Sequence, residues 1–391
     1  MACTLYIVRH AEAEGNLYRR IHGWYDSLIT DNGYRQIAAL EERFRDIPVD
    51  AVYSSDLFRT KTTAGAICRP KGLALQTRAD LRELSMGVWE DHTWGEVAHF
   101  QSEHYLRYST CDPGWKNEGG ESRQEGRRRI RAAILDIAAR HPGEQAAVVC
   151  HGDIIRCLQA EVLGVPVEEM PSLGHCDNTG VTALRVEGER MELLFQNDNS
   201  HLPEECSTLA RQRWWKDVRN TMGDANFWFR PLTAADEAFY CSLHRETWTG
   251  LYGAESGYDA GAFFRDALEW AGRDARAVSV AMLREEAAGV VQLDLARDEA
   301  QGAGHIRFLA LAPGRRGKGL APQLLGQAVS IYRGMGRDRL RLLCAPKNER
   351  ARRFYDRHGF RTIAAQPGHR GSLDQMEKYI GYRPDARGGL L

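Results

Sequence analysis

The chain is short of net charge. Across its 391 residues, 52 Lys and Arg face 53 Asp and Glu, for a formal charge of −1. No global field therefore selects nucleic acid or a membrane surface. The basic clusters Arg127-Arg128-Arg129-Ile130-Arg131 and Arg211-Gln212-Arg213-Trp214-Trp215-Lys216 read as solvated helix faces, not binding patches. C-x-x-C spacing is missing as well. The nine cysteines (Cys3, Cys68, Cys111, Cys150, Cys157, Cys176, Cys206, Cys241 and Cys344) are odd in number and scattered. That pattern reads as reduced thiols of a cytoplasmic protein, not as a disulfide framework or a zinc site. The N-terminus lacks a signal-peptide pattern, no apolar run approaches a membrane span, and neither internal repeats nor low-complexity tracts occur. What remains is ordinary globular composition, 43% hydrophobic and 27% charged. Two domains are the default at this length.

The first motif is Leu5-Tyr6-Ile7-Val8-Arg9-His10, followed by Ala11-Glu12-Ala13-Glu14-Gly15-Asn16. A β-prone apolar run that stops at Arg-His delivers a fixed cation and an imidazole to the carboxyl edge of a sheet, where open α/β folds bind ligands. Imidazole can carry a phosphoryl group as a covalent intermediate, and guanidinium matches phosphate oxygens in a planar fork. Alone, the pair is equally well a chance strand cap. Four downstream stretches add weight. Ser54-Ser55-Asp56-Leu57-Phe58-Arg59 opens a helical pattern near an anion-favouring N-terminus. Leu81-Arg82-Glu83-Leu84 sets a carboxylate among apolar neighbours, Gly119-Gly120-Glu121-Ser122 is a turn before a long helix, and Ala147-Val148-Val149-Cys150-His151-Gly152 is a second strand ending in His.

This ordered set resembles the histidine phosphatase superfamily, which includes the cofactor-dependent phosphoglycerate mutases. The resemblance spans Met1 to roughly Leu202. It implies a phosphoglycerate mutase-like α/β three-layer sandwich with His10 as nucleophile and Glu83 as proton donor. It further implies that Arg9, Arg59 and His151 hold the phosphoryl group and that Asn16 lines the pocket. No metal is implied. Ala11 and Ala13 stand where the family usually has Gly and Thr or Ser, and Ala13 removes a hydroxyl from the phosphate side. A decoy overlaps this set: Cys150 and Arg156 fit the C-x5-R phosphate loop of Cys-dependent phosphatases. A cysteine closing an apolar run is more commonly a buried, inert thiol.

Between the motifs, Gly23 to Asp26 reads as a loop over the pocket, and Thr30 caps a helix running through Tyr34, Ile37, Leu40 and Phe44. Arg69-Pro70-Lys71-Gly72 reads as a turn, Leu73 to Gln76 as a short strand, and Glu121 to Arg140 as a helix. The stretch from Asp91 to Asn117 reads as an aromatic cap with only Arg107 and Lys116 as fixed cations, suited to an apolar or mixed leaving group. Asn178 to Leu184 and Met191 to Phe195 read as closing strands around a Glu187-Gly188-Glu189 turn. Residues 203–225 read as a tail helix and linker, with Trp214 and Trp215 packing on one domain.

The second half begins with the strand Asn226 to Leu232 and a helix capped by Thr233. A further strand, Ile306 to Ala312, leads into Arg315-Arg316-Gly317-Lys318-Gly319-Leu320-Ala321 and a helix. This glycine-rich turn leaves backbone N–H groups uncovered at a helix start, which suits a pyrophosphate. Its partner is Asn348-Glu349-Arg350-Ala351-Arg352-Arg353-Phe354-Tyr355, after the strand Leu340 to Cys344. The pair resembles the GNAT acetyltransferases over roughly Phe227 to Arg383. It implies acetyl-CoA at Arg316, Gly317, Lys318, Gly319, Leu320 and Ala321, contact from Asn348, and Tyr355 as the phenol that reprotonates the CoA thiolate. A core tyrosine on a helix face is the plainer account of Tyr355. Glu285, Glu286, Asp294 and His305 all stay open as the acceptor-side base.

The expectation is thus a bifunctional cytoplasmic enzyme with a phosphatase domain over 1–202, a linker over 203–225 and a GNAT α/β domain over 226–383. Its ligands would be a small phosphomonoester, acetyl-CoA and an amine acceptor, with no nucleic acid or membrane. The rivals are a regulatory pseudophosphatase that senses a phosphorylated ligand, and a phosphoglycerate-type mutase.

Overall fold

The computed structural model describes residues 1–212, 225–253, 257–368 and 371–382. Trp214 and Trp215 lie outside the described residues. Two compact units emerge. Among the described residues the first takes in Met1–His92 and 100–212, the second Thr93–His99 and 225–382. No helix of the described residues is long and apolar enough to cross a membrane.

In the first unit the strands are β1 (Cys3–Arg9), β2 (Ala51–Ser54), β3 (Leu75–Thr77), β4 (Gln145–Cys150), β5 (Val181–Glu187) and β6 (Arg190–Asp198), in the order β3-β2-β4-β1-β5-β6. β3, β2, β4 and β1 run parallel, and β5 and β6 close the sheet antiparallel. Parallel strands need both faces covered, and alternate residues of β1 and β4 show it. Leu5, Ile7 and Val148 pack with Ile130, Ile134 and Ile137 of the Arg123–Arg140 helix and Ile154 and Leu158 of the Gly152–Leu163 helix. Val8, Val52 and Val149 pack with Ile37, Leu40 and Phe44 of the Asp31–Phe44 helix and Ala64 and Ile67 of the Phe58–Lys71 helix. The result is a three-layer α/β sandwich, as expected. Each fully buried Ile or Leu contributes about 1.5–3 kcal/mol relative to exposure.

Local signals set most helix ends. Thr30 Oγ1 accepts from Gly33 N at 3.0 Å, and Ser122 and Glu125 form a reciprocal capping box. One expectation fails. The Phe58–Lys71 helix runs through Arg69-Pro70-Lys71, and Gly72 at φ +63° ends it, with Leu73 N bonding Cys68 O at 3.0 Å. Proline near a helix end forfeits little of the ladder, so the left-handed glycine is the true stop. The strand expected at Leu73 to Gln76 begins later, at Leu75, because Gly72 and Leu73 are spent closing that helix. The stretch expected as a cap holds two helices, Trp94–Phe100 and Ser102–Ser109.

Among its described residues the second unit has seven strands: β7 (Trp228–Pro231), β8 (Val278–Leu283), β9 (Glu286–Asp294), β10 (Ala303–Leu311), β11 (Arg339–Cys344), β12 (Arg361–Gly368) and β13 (Gly371–Tyr379). Their order is β12-β13-β11-β10-β9-β8-β7. Among the described residues only β10 and β11 pair in parallel, and that ladder covers Ala303–Ile306 against Arg339–Leu342. Beyond it the two strands continue without pairing each other, while β9 and β13 hold their outer edges. Tyr240, Leu243, Phe264 and Ala267 pack helices Glu237–Tyr252 and Ala260–Arg273 against Val278, Val280 and Val290.

Candidate active sites

The parallel register pairs Arg9 with Cys150, so His10 and His151 leave neighbouring strands at one edge. Their ring centroids lie 5.2 Å apart, and both are buried. His10 Nδ1 is 2.7 Å from Ala11 O. A carbonyl only accepts, so Nδ1 carries the hydrogen and Nε2 keeps its lone pair. Burial, with Arg59, Arg9 and His22 nearby, holds the His10 imidazole well below its usual range, and therefore neutral. His151 is depressed likewise by burial, Arg59 and His10. Its Nε2 meets Ser55 Oγ at 2.8 Å, which fixes the ring, and its Nδ1 has no hydrogen-bond partner among the described residues.

The cations are held by main-chain oxygens. Arg59, fully buried, donates to His22 O at 2.8 Å, Gly23 O at 2.6 Å and Tyr25 O at 3.1 Å. It thereby pins the loop that holds Gly23 and Tyr25. Arg9 Nη1 donates to Cys176 O at 2.6 Å. A Cβ on Gly152 would come 3.1 Å from Arg9 Nε, which explains the glycine directly after His151. Asn16 Oδ1 accepts from Ala13 N at 3.0 Å, so its amide N–H groups are the part left to meet a ligand.

Glu83 sits against the start of the Gly152–Leu163 helix. Its carboxylate accepts N–H bonds from Ile154 at 2.8 Å, Leu84 at 3.0 Å and Asp153 at 3.1 Å. Burial, and then the Asp153 charge, raise the Glu83 carboxyl above its usual value against the pull of those bonds. The Gly-Glu-Ser turn acts at one remove. Glu121 clasps Arg129 at 2.7 Å and 2.8 Å, and Arg129 donates to Glu83 O at 3.0 Å and Arg82 O at 2.8 Å.

The Cys-phosphatase alternative fails. Cys150 is fully buried in β4, burial pushes its thiol up, and Arg156 donates to Met170 O at 3.0 Å instead of joining a phosphate cradle. Arg107 and Lys116, the cap's expected cations, pair with Asp112 and Glu125, each at 2.8 Å. Sequence reasoning missed His22, whose ring lies 5.6 Å from that of His10, because an isolated histidine carries no pattern. It also missed a group around the half-buried Asp153, made of the buried Arg123 and Arg156 with the half-buried Tyr108 and His175. The three-residue spacing of Asp153 and Arg156 on a helix was the available signal.

In the second unit Gly317 and Gly319 both lie at φ +74°, where a Cβ would meet nothing within 4 Å. This left-handed turn leads straight into the Ala321–Gly334 helix. Together with the parting of β10 from β11, it fits a pyrophosphate and an extended pantetheine arm. Three side chains are less simply placed. Arg316 is engaged by Glu246, with Nε on Leu311 O at 2.8 Å, while Lys318 is exposed. Asn348 Oδ1 caps the Glu349–Arg357 helix through Ala351 N at 3.2 Å. Tyr355 lies 5.4 Å from the Phe360 ring, and burial raises its phenol. Among the open acceptor-side bases, Glu286 pairs with Arg315, and His305 meets Asp298 at 3.1 Å, its imidazole pushed down to about 4 by burial.

A mainly parallel sandwich with two histidines at one strand edge, followed by a seven-stranded sheet split at a glycine turn, defines a two-module α/β protein. The chain belongs to the histidine phosphatase superfamily, branch 1, over residues 5–199, and carries an acetyltransferase (GNAT) family domain over residues 239–360. It is 34% identical over 162 residues to a probable phosphoglycerate mutase GpmB of Salmonella choleraesuis (strain SC-B67), an overlap of 41% of this chain and 75% of that protein. The same figures, 34%, 41% and 75%, hold for the protein of that description from Klebsiella pneumoniae. Among solved structures, Bacillus stearothermophilus YhfR is 28% identical with a TM-score of 0.50, covering 51% of this chain and 98% of its own.

Proposed function

We propose that the chain is a bifunctional enzyme with two catalytic domains, 1–202 and 226–383, joined by 203–225. The first hydrolyses a small phosphomonoester through a phosphohistidine, and the second transfers an acetyl group from acetyl-CoA to an amine. The observation that carries the first activity is the bond from His10 Nδ1 to Ala11 O at 2.7 Å, which leaves Nε2 as a neutral nucleophile among cations. His10 Nε2 attacks phosphorus while the Glu83 carboxyl gives its proton to the leaving oxygen. The Glu83 carboxylate then takes a proton from the water that breaks the phosphohistidine. Arg9, Arg59 and His151 bind the transferring oxygens, with Asn16 at the pocket wall.

A mutase reading has support in the names of the similar GpmB proteins. Against it, Arg107 and Lys116 are already neutralised, and a mutase must shield its phosphohistidine from water. Supplying 3-phosphoglycerate with a bisphosphoglycerate primer separates the two. Phosphate release is expected to exceed formation of 2-phosphoglycerate, and the reverse order would overturn hydrolysis.

For the second domain, acetyl-CoA supplies an activated acyl group. The main chain of Gly317 to Ala321 binds its phosphates, Asn348 contacts it, and the Tyr355 hydroxyl gives a proton to the departing sulfur. Acetyl-CoA at a hundred times its Kd is expected to stabilise this domain by about 2.7 kcal/mol. Gly319→Glu should remove that protection, and an unshifted wild-type midpoint at millimolar acetyl-CoA would overturn the acetyltransferase reading.

A further inference from the structure

We propose that Glu246 is a positioning residue for acetyl-CoA, which braces, through Arg316, the glycine turn that meets the pyrophosphate. The inference rests on the acetyltransferase reading of the second unit. It makes Arg316, expected from the sequence to contact acetyl-CoA, a tie bar and not a ligand.

The turn has little of its own to hold it. Beyond the short turn Pro313–Arg315, the N–H groups of Gly317, Lys318, Gly319 and Leu320 donate no hydrogen bond among the described residues. Gly317, Lys318 and Gly319 are exposed, and both glycines take the left-handed φ of +74°. Such a row of N–H groups suits an anion, but glycine loses the most conformational freedom when a segment becomes ordered. If the turn were loose, ordering it on binding would weaken the hold on acetyl-CoA.

Arg316 supplies the restraint. Its Nη1 and Nη2 meet Glu246 Oε1 and Oε2, each at 2.5 Å, and its Nε donates to Leu311 O at 2.8 Å. A fork-to-fork pair with a third bond fixes both the plane and the position of the guanidinium. One end of this tie is the last residue of β10. The other is the Glu237–Tyr252 helix, which is anchored by the buried Tyr240 and Leu243 and by the bond from the Tyr240 hydroxyl to Gln292 Oε1 at 2.7 Å. Arg315 is tied in turn to Glu286, the first residue of β9. Both arginines ahead of the glycines are thus neutralised. A free cation would attract an anion better than a paired one, so what the pair gives the turn is restraint.

This sets a sign for the test. A carboxylate near an anion site repels the ligand, so by charge alone removing Glu246 tightens binding. As a brace, its removal loosens binding. The side chains of Arg316 and Glu246 are 26% and 44% exposed, so substitutions here leave the core untouched.

The experiment is calorimetric titration of the full chain with acetyl-CoA. Arg316→Gln with Glu246→Gln conserves net charge and is expected to raise Kd by about fivefold. Glu246→Gln alone should raise it by about twofold or more, against the sign that charge gives. Exchanging the two, Arg316→Glu with Glu246→Arg, should return Kd to within about twofold of the wild type. A merely structural pair would lower the second unit's Tm and leave Kd of the folded variants unmoved, which overturns the brace. Tighter binding by Glu246→Gln also overturns it, by making the carboxylate a latch that acetyl-CoA must displace. An exchanged pair that binds no better than the double Gln variant overturns it as well, by making Arg316 a direct ligand. A wild-type chain that binds no acetyl-CoA at millimolar concentration overturns the acetyltransferase reading, and the brace with it. Where the exchanged pair fails to fold, the two Gln variants decide.

Discussion

At the edge of the first sheet every group proposed to meet a phosphoryl oxygen is a side chain fixed in advance. His10 is tied by Ala11 O, His151 by Ser55, Arg59 by three carbonyls and Glu83 by three N–H groups. In the second unit the surface proposed to meet an anion is main chain, a turn whose Gly317 and Gly319 sit at φ +74° with open space around them. The first arrangement concentrates function in a few irreplaceable atoms. The second spreads it over N–H groups that no side-chain truncation removes. Single substitutions should therefore act abruptly in the first unit and gradually in the second.

The sharpest break of that comparison is His10→Ala. Phosphate release is expected to fall by a factor on the order of 10⁴ or more, because no neighbouring group replaces a covalent nucleophile. In the same sample acetyl-CoA should still raise the unfolding midpoint of the second unit. A phosphoenzyme trapped on Cys150 would refute the assignment.

Glu83→Gln comes next. Alkyl phosphates should slow by about 10²–10⁴-fold, and esters with strongly acidic leaving groups far less, since these need no proton. Uniform slowing would remove the general-acid role. The sign of the pH dependence follows from the raised Glu83 carboxyl. The acid form persists to higher pH than in a solvated Glu, and alkyl phosphate turnover falls as pH rises through that raised value. Asp153→Asn should move this basic limb downward, because the Asp153 charge is among the causes that raise it.

The same contrast explains what could be read in advance. His10, Arg59 and His151 stand in the sequence as residue types at strand ends and helix starts, Glu83 as a carboxylate among apolar neighbours, and strand–helix alternation pointed to the sandwich. The role of Glu121 was not readable, since it acts through Arg129 on the carbonyl of Glu83. Neither was the convergence of Arg123 and Arg156, because register between two helices decides it. The glycine turn was legible as spacing. That Arg316 is turned to Glu246 depends on a helix seventy residues upstream.

Acid should separate the units by a smaller amount. Burial and neighbouring arginines depress His10, His22 and His151, and burial pushes His175 and His201 down to about 4. A depressed histidine favours folding fully above its unfolded value near 6.5, and that contribution is lost as pH falls toward the folded value. Among the described residues the second unit has fewer such groups, with His244 and His305 both at about 4. Between about pH 6.5 and 4 the first unit's Tm should drop further than the second's. Each 1 kcal/mol of difference amounts to about 2–4 °C. Calorimetry showing the second unit melting first on acidification would contradict this.

The smallest effects come from two glycines present for different reasons. At Gly152 the constraint is space: an added Cβ meets Arg9 Nε at 3.1 Å and Cζ at 3.3 Å, the end of a flexible side chain that can give by tenths of an ångström. Gly152→Ala should therefore leave stability nearly unchanged and displace the guanidinium from the phosphoryl oxygens. The expected cost is about 1 kcal/mol, roughly fivefold in kcat/KM, because a charge-assisted bond weakens with misalignment. At Gly319 the constraint is conformation: the space is open but φ is +74°, which costs an L-residue about 1–2 kcal/mol. Gly319→Ala should loosen acetyl-CoA binding by a similar factor and lower the second unit's Tm slightly. Phosphatase kinetics and acetyl-CoA titrations on the two variants would measure both. If Gly152→Ala lowers Tm while kcat/KM holds, Arg9 is a structural brace and not a ligand of the phosphoryl group. The contrast between fixed side chains and permissive main chain would then fail at its closest point of test.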